Sequence, residues 1–289
     1  MQATIVFKGE TISPTAFDER CCRSAAALQA ARVGDGDVVA LMQRNSPEAL
    51  EMMIATRRLG AQWCPVNWHF KTDEVQYILG NSGAKVFVVD PELLAGLVGL
   101  QTDAVSVFTT RAGVAGVPAW DTRRNATAPI TSAPAAPRGA MFYTSGTTGR
   151  PKGIVRAPST PEQLAAGARV RNLAYGFEPG LGANMRALVN APMYHSAPNG
   201  YSLGVAMEGG TLYIEERFDA ERTLQLIEQH RLTHAYLVPT MYVRMLALPA
   251  AVRAQYDLRS MRFVGSTGSP CPPEVKRAMI DWWGPVINE

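Results

Sequence analysis

An α/β fold in two packed lobes, each on a mostly parallel sheet, is what the sequence predicts, and three observations predict it. Short apolar runs alternate with helix-length segments through the first hundred or so residues. A stretch rich in Ala, Pro and Thr, 111–138, then breaks the rhythm and reads as a linker. From 139 onward the alternation resumes and continues to the last residue. Strands alternating with helices are joined by crossovers, and crossovers make parallel sheets with helices on their faces. The expected organisation is a first lobe over 1–110, the linker over 111–138 and a second lobe over 139–289.

Each element has a local reason. Asp37–Gln43 is a continuous apolar run suited to a strand buried on both faces. Ser46-Pro47-Glu48 supplies an N-cap, a proline at the first helical position and an acidic first turn, and Gly60 ends that helix. Trp63–Val66 is the next strand. Thr72-Asp73-Glu74 opens a helix ending near Gly80, Lys85–Val89 is a strand, Pro91–Val98 a helix and Ala104–Thr109 a strand. In the second lobe strands are expected at Ala140–Tyr143, Ile154–Arg156, Ala187–Asn190, Thr211–Ile214, His234–Val238, Arg262–Val264 and Val286–Asn288. Helices are expected at Glu162–Ala174, Ser202–Met207, Ala220–Gln229, Thr240–Leu248 and Pro273–Trp282. In such sheets ligands occupy the crevice at the C-terminal ends of the strands.

Bulk composition narrows the function. With 47% hydrophobic and 18% charged residues the chain is of ordinary globular composition. A net charge of +3 over 289 residues, with Lys and Arg scattered, gives no electrostatic footprint for nucleic acid or membrane. The N-terminal residues carry no apolar signal-peptide core. No apolar run approaches the roughly 18 residues a membrane helix needs. The four cysteines, Cys21, Cys22, Cys64 and Cys271, form no C-x-x-C pair and fit reduced thiols in a cytoplasmic protein. His230 and His234 are four apart, but no glutamate follows His230 and the helix is expected to end there, so they do not make a zinc motif.

The chemistry concentrates in Phe142-Tyr-Thr-Ser-Gly-Thr-Thr-Gly-Arg-Pro-Lys-Gly153. Three glycines, three threonines, a serine and a lysine share twelve residues, directly after a short apolar run. Backbone N–H groups, hydroxyls and one long cation are what a polyphosphate needs. The Walker A spacing fails: counting from Gly146, its second glycine falls on Pro151 and its Ser/Thr on Gly153.

This string resembles the phosphate-loop signature of the adenylate-forming superfamily, of the acyl-CoA synthetase type. Three further blocks follow the same family's order: Leu59-Gly-Ala-Gln-Trp-Cys-Pro-Val-Asn67 with Tyr77-Ile-Leu-Gly-Asn-Ser-Gly-Ala-Lys85, then Ala191-Pro-Met-Tyr-His-Ser196, then Met261-Arg-Phe-Val-Gly-Ser-Thr-Gly-Ser-Pro270. The resemblance implies ATP and Mg2+ as reactants, a carboxylic acid as substrate and coenzyme A as acceptor. It implies that Thr144, Ser145, Gly146, Thr147, Thr148, Gly149 and Lys152 hold the phosphates, with Thr144 also near the magnesium. It places Thr267, Gly268 and Ser269 against the adenine. It gives His195 the carboxylate and acyl site, where amino-acid-activating relatives carry an aspartate, and so argues against an amino-acid substrate. Ser196, Ala197 and Gly200 are small enough to border an acyl channel, with close helix packing as the rival explanation, and Tyr236 stands in the stretch that walls the acyl pocket. The catalytic residues it implies are Lys152 and His195.

By the same resemblance the chain ends inside a motif at Glu289 and is the N-terminal part of such an enzyme, lacking the small C-terminal domain. The expected reaction is formation of an acyl-adenylate from a fatty or aryl acid, then transfer to coenzyme A. An adenylating enzyme with a different acceptor, and a non-catalytic nucleotide- or acyl-binding module, are the alternatives. No nucleic-acid partner is expected, and a homodimer stays open.

Overall fold

The computed structural model describes residues 3–114, 116–144, 150–178 and 180–289, with the backbone alone for Thr144 and Ala183. In chain order the elements are β1 (Thr4–Phe7), β2 (Glu10–Ile12), α1 (Pro14–Ala30), β3 (Val38–Met42), α2 (Pro47–Arg58), β4 (Gln62–Pro65), α3 (Thr72–Ser82), β5 (Ala84–Val89), α4 (Pro91–Ala95), β6 (Ser106–Thr109), α5 (Trp120–Asn125), β7 (Tyr143–Thr144) and β8 (Lys152–Gly153). They continue with α6 (Pro161–Tyr175), β9 (Arg186–Val189), α7 (Ser196–Glu208), β10 (Thr211–Ile214), α8 (Ala220–His230), β11 (His234–Tyr236), α9 (Pro239–Leu246), α10 (Ala250–Arg253), β12 (Phe263–Gly265), α11 (Pro273–Trp283) and β13 (Ile287–Asn288).

Two compact units result, and they do not follow the boundaries expected from the sequence. One is contiguous but for a short addition, 16–164 with 194–196; the other gathers 1–15, 165–193 and 197–289. The physical reason is a strand pairing of long range. β1 lies parallel to β10, Thr4 opposite Thr211 through Phe7 opposite Ile214, so the first residues complete a sheet otherwise built from the last third of the chain.

The contiguous unit holds a four-stranded parallel sheet in the order β4-β3-β5-β6. All five residues of β3 are buried, as a strand covered on both faces requires. Val38, Ala40 and Met42 point to one face, where they meet Val75, Ile78 and Leu79 of α3 and Phe87 and Val89 of β5. The helix start at Ser46 is as the sequence predicts: its side chain accepts from the Ala49 N–H at 3.1 Å, and Pro47 opens α2.

The stretch 111–138 is bound into this unit. Trp120 of α5 is 1% exposed, and its Nε1 donates to Ser24 Oγ of α1 at 3.0 Å. Beside it lies the carboxylate of Glu51, fully buried on α2, between Arg20 of α1 at 2.8 Å and Arg124 of α5 at 3.1 Å, and hydrogen-bonded by the Ser24 hydroxyl. Burial pushes the Glu51 carboxyl up, and the two guanidinium groups oppose that shift.

The second unit holds a seven-stranded sheet in the order β13-β12-β11-β9-β10-β1-β2, parallel throughout except for the β1–β2 hairpin. β9 is flanked by β10 on one side and β11 on the other, so the direction of winding reverses there. Ligands of open α/β sheets sit outside the C-terminal ends of the strands at such a reversal. That end of β9 leads into Asn190 and Ala191-Pro-Met, and that end of β11 carries Tyr236.

Candidate functional site

The phosphate-loop segment belongs to the contiguous unit. Its two flanks form a short antiparallel hairpin, β7 with β8, Tyr143 opposite Gly153 and Thr144 opposite Lys152. The sequence expectation placed these strands at Ala140–Tyr143 and Ile154–Arg156. The pairing instead falls closer to the loop, and Ile154 and Val155 are left 45% and 75% exposed. Ser145, Gly146, Thr147, Thr148 and Gly149 lie outside the described residues, as does the side chain of Thr144. Lys152 is exposed and has no hydrogen-bond or ion-pair partner among the described residues.

Two tyrosines fix this hairpin to its unit. Tyr77 Oη, on α3, donates to the Pro151 carbonyl at 2.9 Å, and its ring carries the Arg150 guanidinium at 5.2 Å. Tyr143 Oη of β7 donates to Asn81 Oδ1, also on α3, at 2.8 Å. Tyr143 and Tyr77 meet edge to face with centroids 6.4 Å apart. Burial pushes the Tyr143 phenol up to about 12, so it stays a donor at neutral pH. Gly153 is glycine for lack of room: a Cβ there would lie 2.9 Å from the Tyr143 ring. Tyr77 and Asn81 were visible only as parts of the Tyr77–Lys85 block, with no sign of what they would hold.

His195 falls in the same unit. Its ring packs on Tyr194 with centroids 4.3 Å apart, and Tyr194 packs edge-on against Trp68 at 5.4 Å. His195 is solvent-exposed by area, yet the atoms around it desolvate the ring enough to lower its pKa from the ordinary histidine value. The neutral imidazole therefore dominates at neutral pH. Trp68 follows the Pro-Val-Asn67 of the early block, and sequence reasoning missed it.

The remaining predicted residues belong to the second unit, except Ser196. α7 begins at Ser196 rather than at Ser202, so Ser196, Ala197 and Gly200 are helical and not loop residues. The first turn of α7 is held by Tyr175, whose Oη donates to the Ala197 carbonyl at 3.0 Å. A Cβ on Gly200 would stand in ordinary contact with Tyr175 Oη at 3.6 Å. At Gly204 a Cβ would fall 2.7 Å from Arg171 Cδ and 2.8 Å from the Phe177 ring, so there close packing explains the glycine.

At the C-terminal ends of β11 and β12, Tyr236 Oη and Thr267 Oγ1 share a hydrogen bond of 2.7 Å. Gly268 adopts φ +96°, a conformation open to glycine, and Thr267, Gly268 and Ser269 are exposed. Behind them Tyr236 packs with Tyr175 at 6.2 Å and Tyr201 at 5.9 Å, and Tyr175 with Tyr201 at 5.3 Å. Tyr201 Oη is buried with no hydrogen-bond partner among the described residues. Neither Tyr175 nor Tyr201 stood out in the sequence. His234 binds elsewhere with both ring nitrogens: Nδ1 lies 2.8 Å from Thr233 Oγ1 and Nε2 donates to the Gly176 carbonyl at 3.1 Å.

The family model of the AMP-binding enzymes matches residues 1–289. The chain belongs to that family. Among curated relatives, it is 32% identical over 287 residues to a feruloyl-CoA synthase of Amycolatopsis sp, covering 96% of this chain and 54% of the relative. It is 32% identical over 261 residues to an indoleacetate–CoA ligase of Aromatoleum aromaticum, covering 87% of this chain and 49% of the relative. The chain thus spans about half the length of these relatives. A crystal structure of the N-terminal domain of FACL13 from Mycobacterium tuberculosis shares the fold with a TM-score of 0.80 at 22% identity, over 99% of this chain and 70% of that one. Among the described residues no helix is long and apolar enough to cross a membrane.

Proposed function

We propose that this AMP-binding chain serves ATP-dependent activation of an aryl carboxylic acid, first to the acyl-adenylate and then to the coenzyme A thioester. The observation that carries the reading is Lys152, a cation with no side-chain partner among the described residues, on the hairpin strand opposite Thr144 and closing a segment rich in donors in a member of this family. The aryl preference is supported by relatives named for ferulate and indoleacetate. Four cysteines outside any disulfide, two of them buried, support a reducing compartment, the cytoplasm.

In the first step a carboxylate oxygen attacks the α-phosphorus, the bond to the β-phosphate breaks and pyrophosphate leaves with the electron pair. Lys152 and the donors of residues 144–149 hold the β- and γ-phosphates and neutralise charge as pyrophosphate departs. Magnesium travels with the nucleotide and would meet Thr144. Thr267, Gly268 and Ser269 border the adenine; Gly268 lets the backbone come close to a flat ring. His195, as neutral imidazole, donates to the acid and orients it. Tyr236 walls the acyl group, with Ser196, Ala197 and Gly200 lining its path. In the second step the thiol sulfur attacks the acyl carbon, AMP leaves and the thiol proton passes to solvent.

The test is acid-dependent exchange of labelled pyrophosphate into ATP, run with a panel of hydroxycinnamic, indole and fatty acids. Exchange with the aryl acids is the expected result. Exchange with fatty acids only would overturn the aryl assignment, and no exchange in protein that binds ATP would overturn the activation reading.

A further inference from the structure

The seven-stranded sheet has a second end, where its parallel strands begin. Arg186 opens β9, Arg231 and Thr233 precede β11, and Arg259, Ser260 and Arg262 precede β12. These six residues line a cavity of about 200 Å³. Four of them are arginines, and compensation is scarce. Asp257 is spent on Arg259, accepting from Nε at 2.9 Å and from Nη2 at 2.8 Å. Arg186 Nη1 donates to the His230 carbonyl at 3.2 Å. The guanidinium groups of Arg231 and Arg262 have no acceptor among the described residues. Thr233 Oγ1 is occupied by the Arg186 backbone and by His234, whereas Ser260 Oγ is buried with no partner among the described residues. After desolvation, Arg222 and Arg186 depress the His230 imidazole, Arg262 helps depress His234, and Arg231 adds to Arg259 in holding the Asp257 carboxyl well below its usual range.

Like charges gathered around one cavity repel, and an arrangement that leaves them unpaired is poised for an anion. Guanidinium forks match the oxygens of a phosphoryl group in pairs, and several together favour a multivalent anion over a single carboxylate. We propose that this cavity binds a phosphoryl group, at the end of the sheet opposite Tyr236 and Thr267. The site is independent of the nucleotide assignment. Arg262 also borders a larger cleft of about 500 Å³ with Leu173, Phe177 and Phe263, so the phosphoryl group can come free in solution or on an apolar body.

Calorimetric titration of the chain carrying Lys152→Ala, which silences the proposed phosphate loop, tests this with inorganic pyrophosphate as the free anion. Vesicles of phosphatidic acid in phosphatidylcholine, against phosphatidylcholine alone, test the apolar-borne group by co-sedimentation. The expected result is saturable binding of at least one probe, weakened tenfold or more when Arg231→Gln and Arg262→Gln are added, and only partly weakened by Arg231→Lys and Arg262→Lys, which keep charge and lose the fork. Pyrophosphate binding alone assigns a soluble anion, and vesicle binding alone a lipid headgroup. Absence of both, or equal affinity with and without the glutamine pair, overturns the proposal. Matching far-UV circular dichroism and Tm establish that each variant is folded, and the lysine pair decides the matter should the glutamine pair misfold.

Discussion

Lys152 is a side chain whose value is in what it lacks: it is exposed and has no partner among the described residues. Lys152→Met is expected to leave Tm unchanged and to lower acid-dependent pyrophosphate exchange by about 10²–10³-fold, the scale of losing one preorganised electrostatic contact. His195 gives a pH signature. Because its pKa lies below the ordinary histidine value, the ring stays neutral as pH falls through that value and gains its proton only further down. Exchange should therefore hold level from pH 8 to the ordinary histidine range and fall below it, and a pH–rate profile of His195→Gln should lack that limb. At this scale the sequence offered candidates where a motif has fixed spacing, Lys152, His195 and Thr267, and their roles are proposals. It was silent on Tyr77, Asn81 and Trp68, because what a phenol or an indole touches is decided by tertiary packing.

Single elements show the same division. Most strands expected at apolar runs are present, Thr211–Ile214 with its very bounds, but 154–156 is not a strand and the strand expected at 140–143 shrinks to Tyr143–Thr144. β1 and β2 escaped notice because they are four and three residues long, and Ile5 is the one fully buried position in either. α1 could have been found: Phe17, Cys21, Ser24, Ala25 and Leu28 are buried at helical spacing, but small and polar residues dilute the apolar stripe. The β7–β8 hairpin invites a test. Gly153→Ala drives a methyl group into the Tyr143 ring, and overpacking of this kind costs about 1–3 kcal/mol. Denaturant unfolding should register that loss. In the double variant with Tyr143→Ala the added cost of the alanine should vanish, a coupling that a double-mutant cycle measures.

For the molecule as a whole, the buried carboxylate of Glu51 joins α1, α2 and α5. Glu51→Ala takes one partner from each of two guanidinium groups, Arg20, which keeps Glu48 at 3.0 Å, and Arg124, which keeps Asp121 at 3.1 Å, and is expected to cost about 1–3 kcal/mol of unfolding free energy. His234 adds a pH term. Its folded pKa is depressed chiefly by burial, so its contribution to stability is present above the ordinary value of 6.5 and is lost as pH falls through the folded value. Thermal melts from pH 8 to pH 5 should show that loss, and His234→Asn should flatten it. The pairing of β1 with β10 also sets a timetable for biosynthesis. Thr4 and Thr211 are partners across two hundred residues of chain. At roughly 5–20 residues per second on the ribosome, β1 waits about 10–40 s for its neighbour to be made. The contiguous unit, complete at residue 164 apart from its three-residue addition, is by then already available to fold. An exposed strand that must wait is a natural client for a nascent-chain chaperone, and codons that slow translation between 165 and 214 would lengthen its exposure.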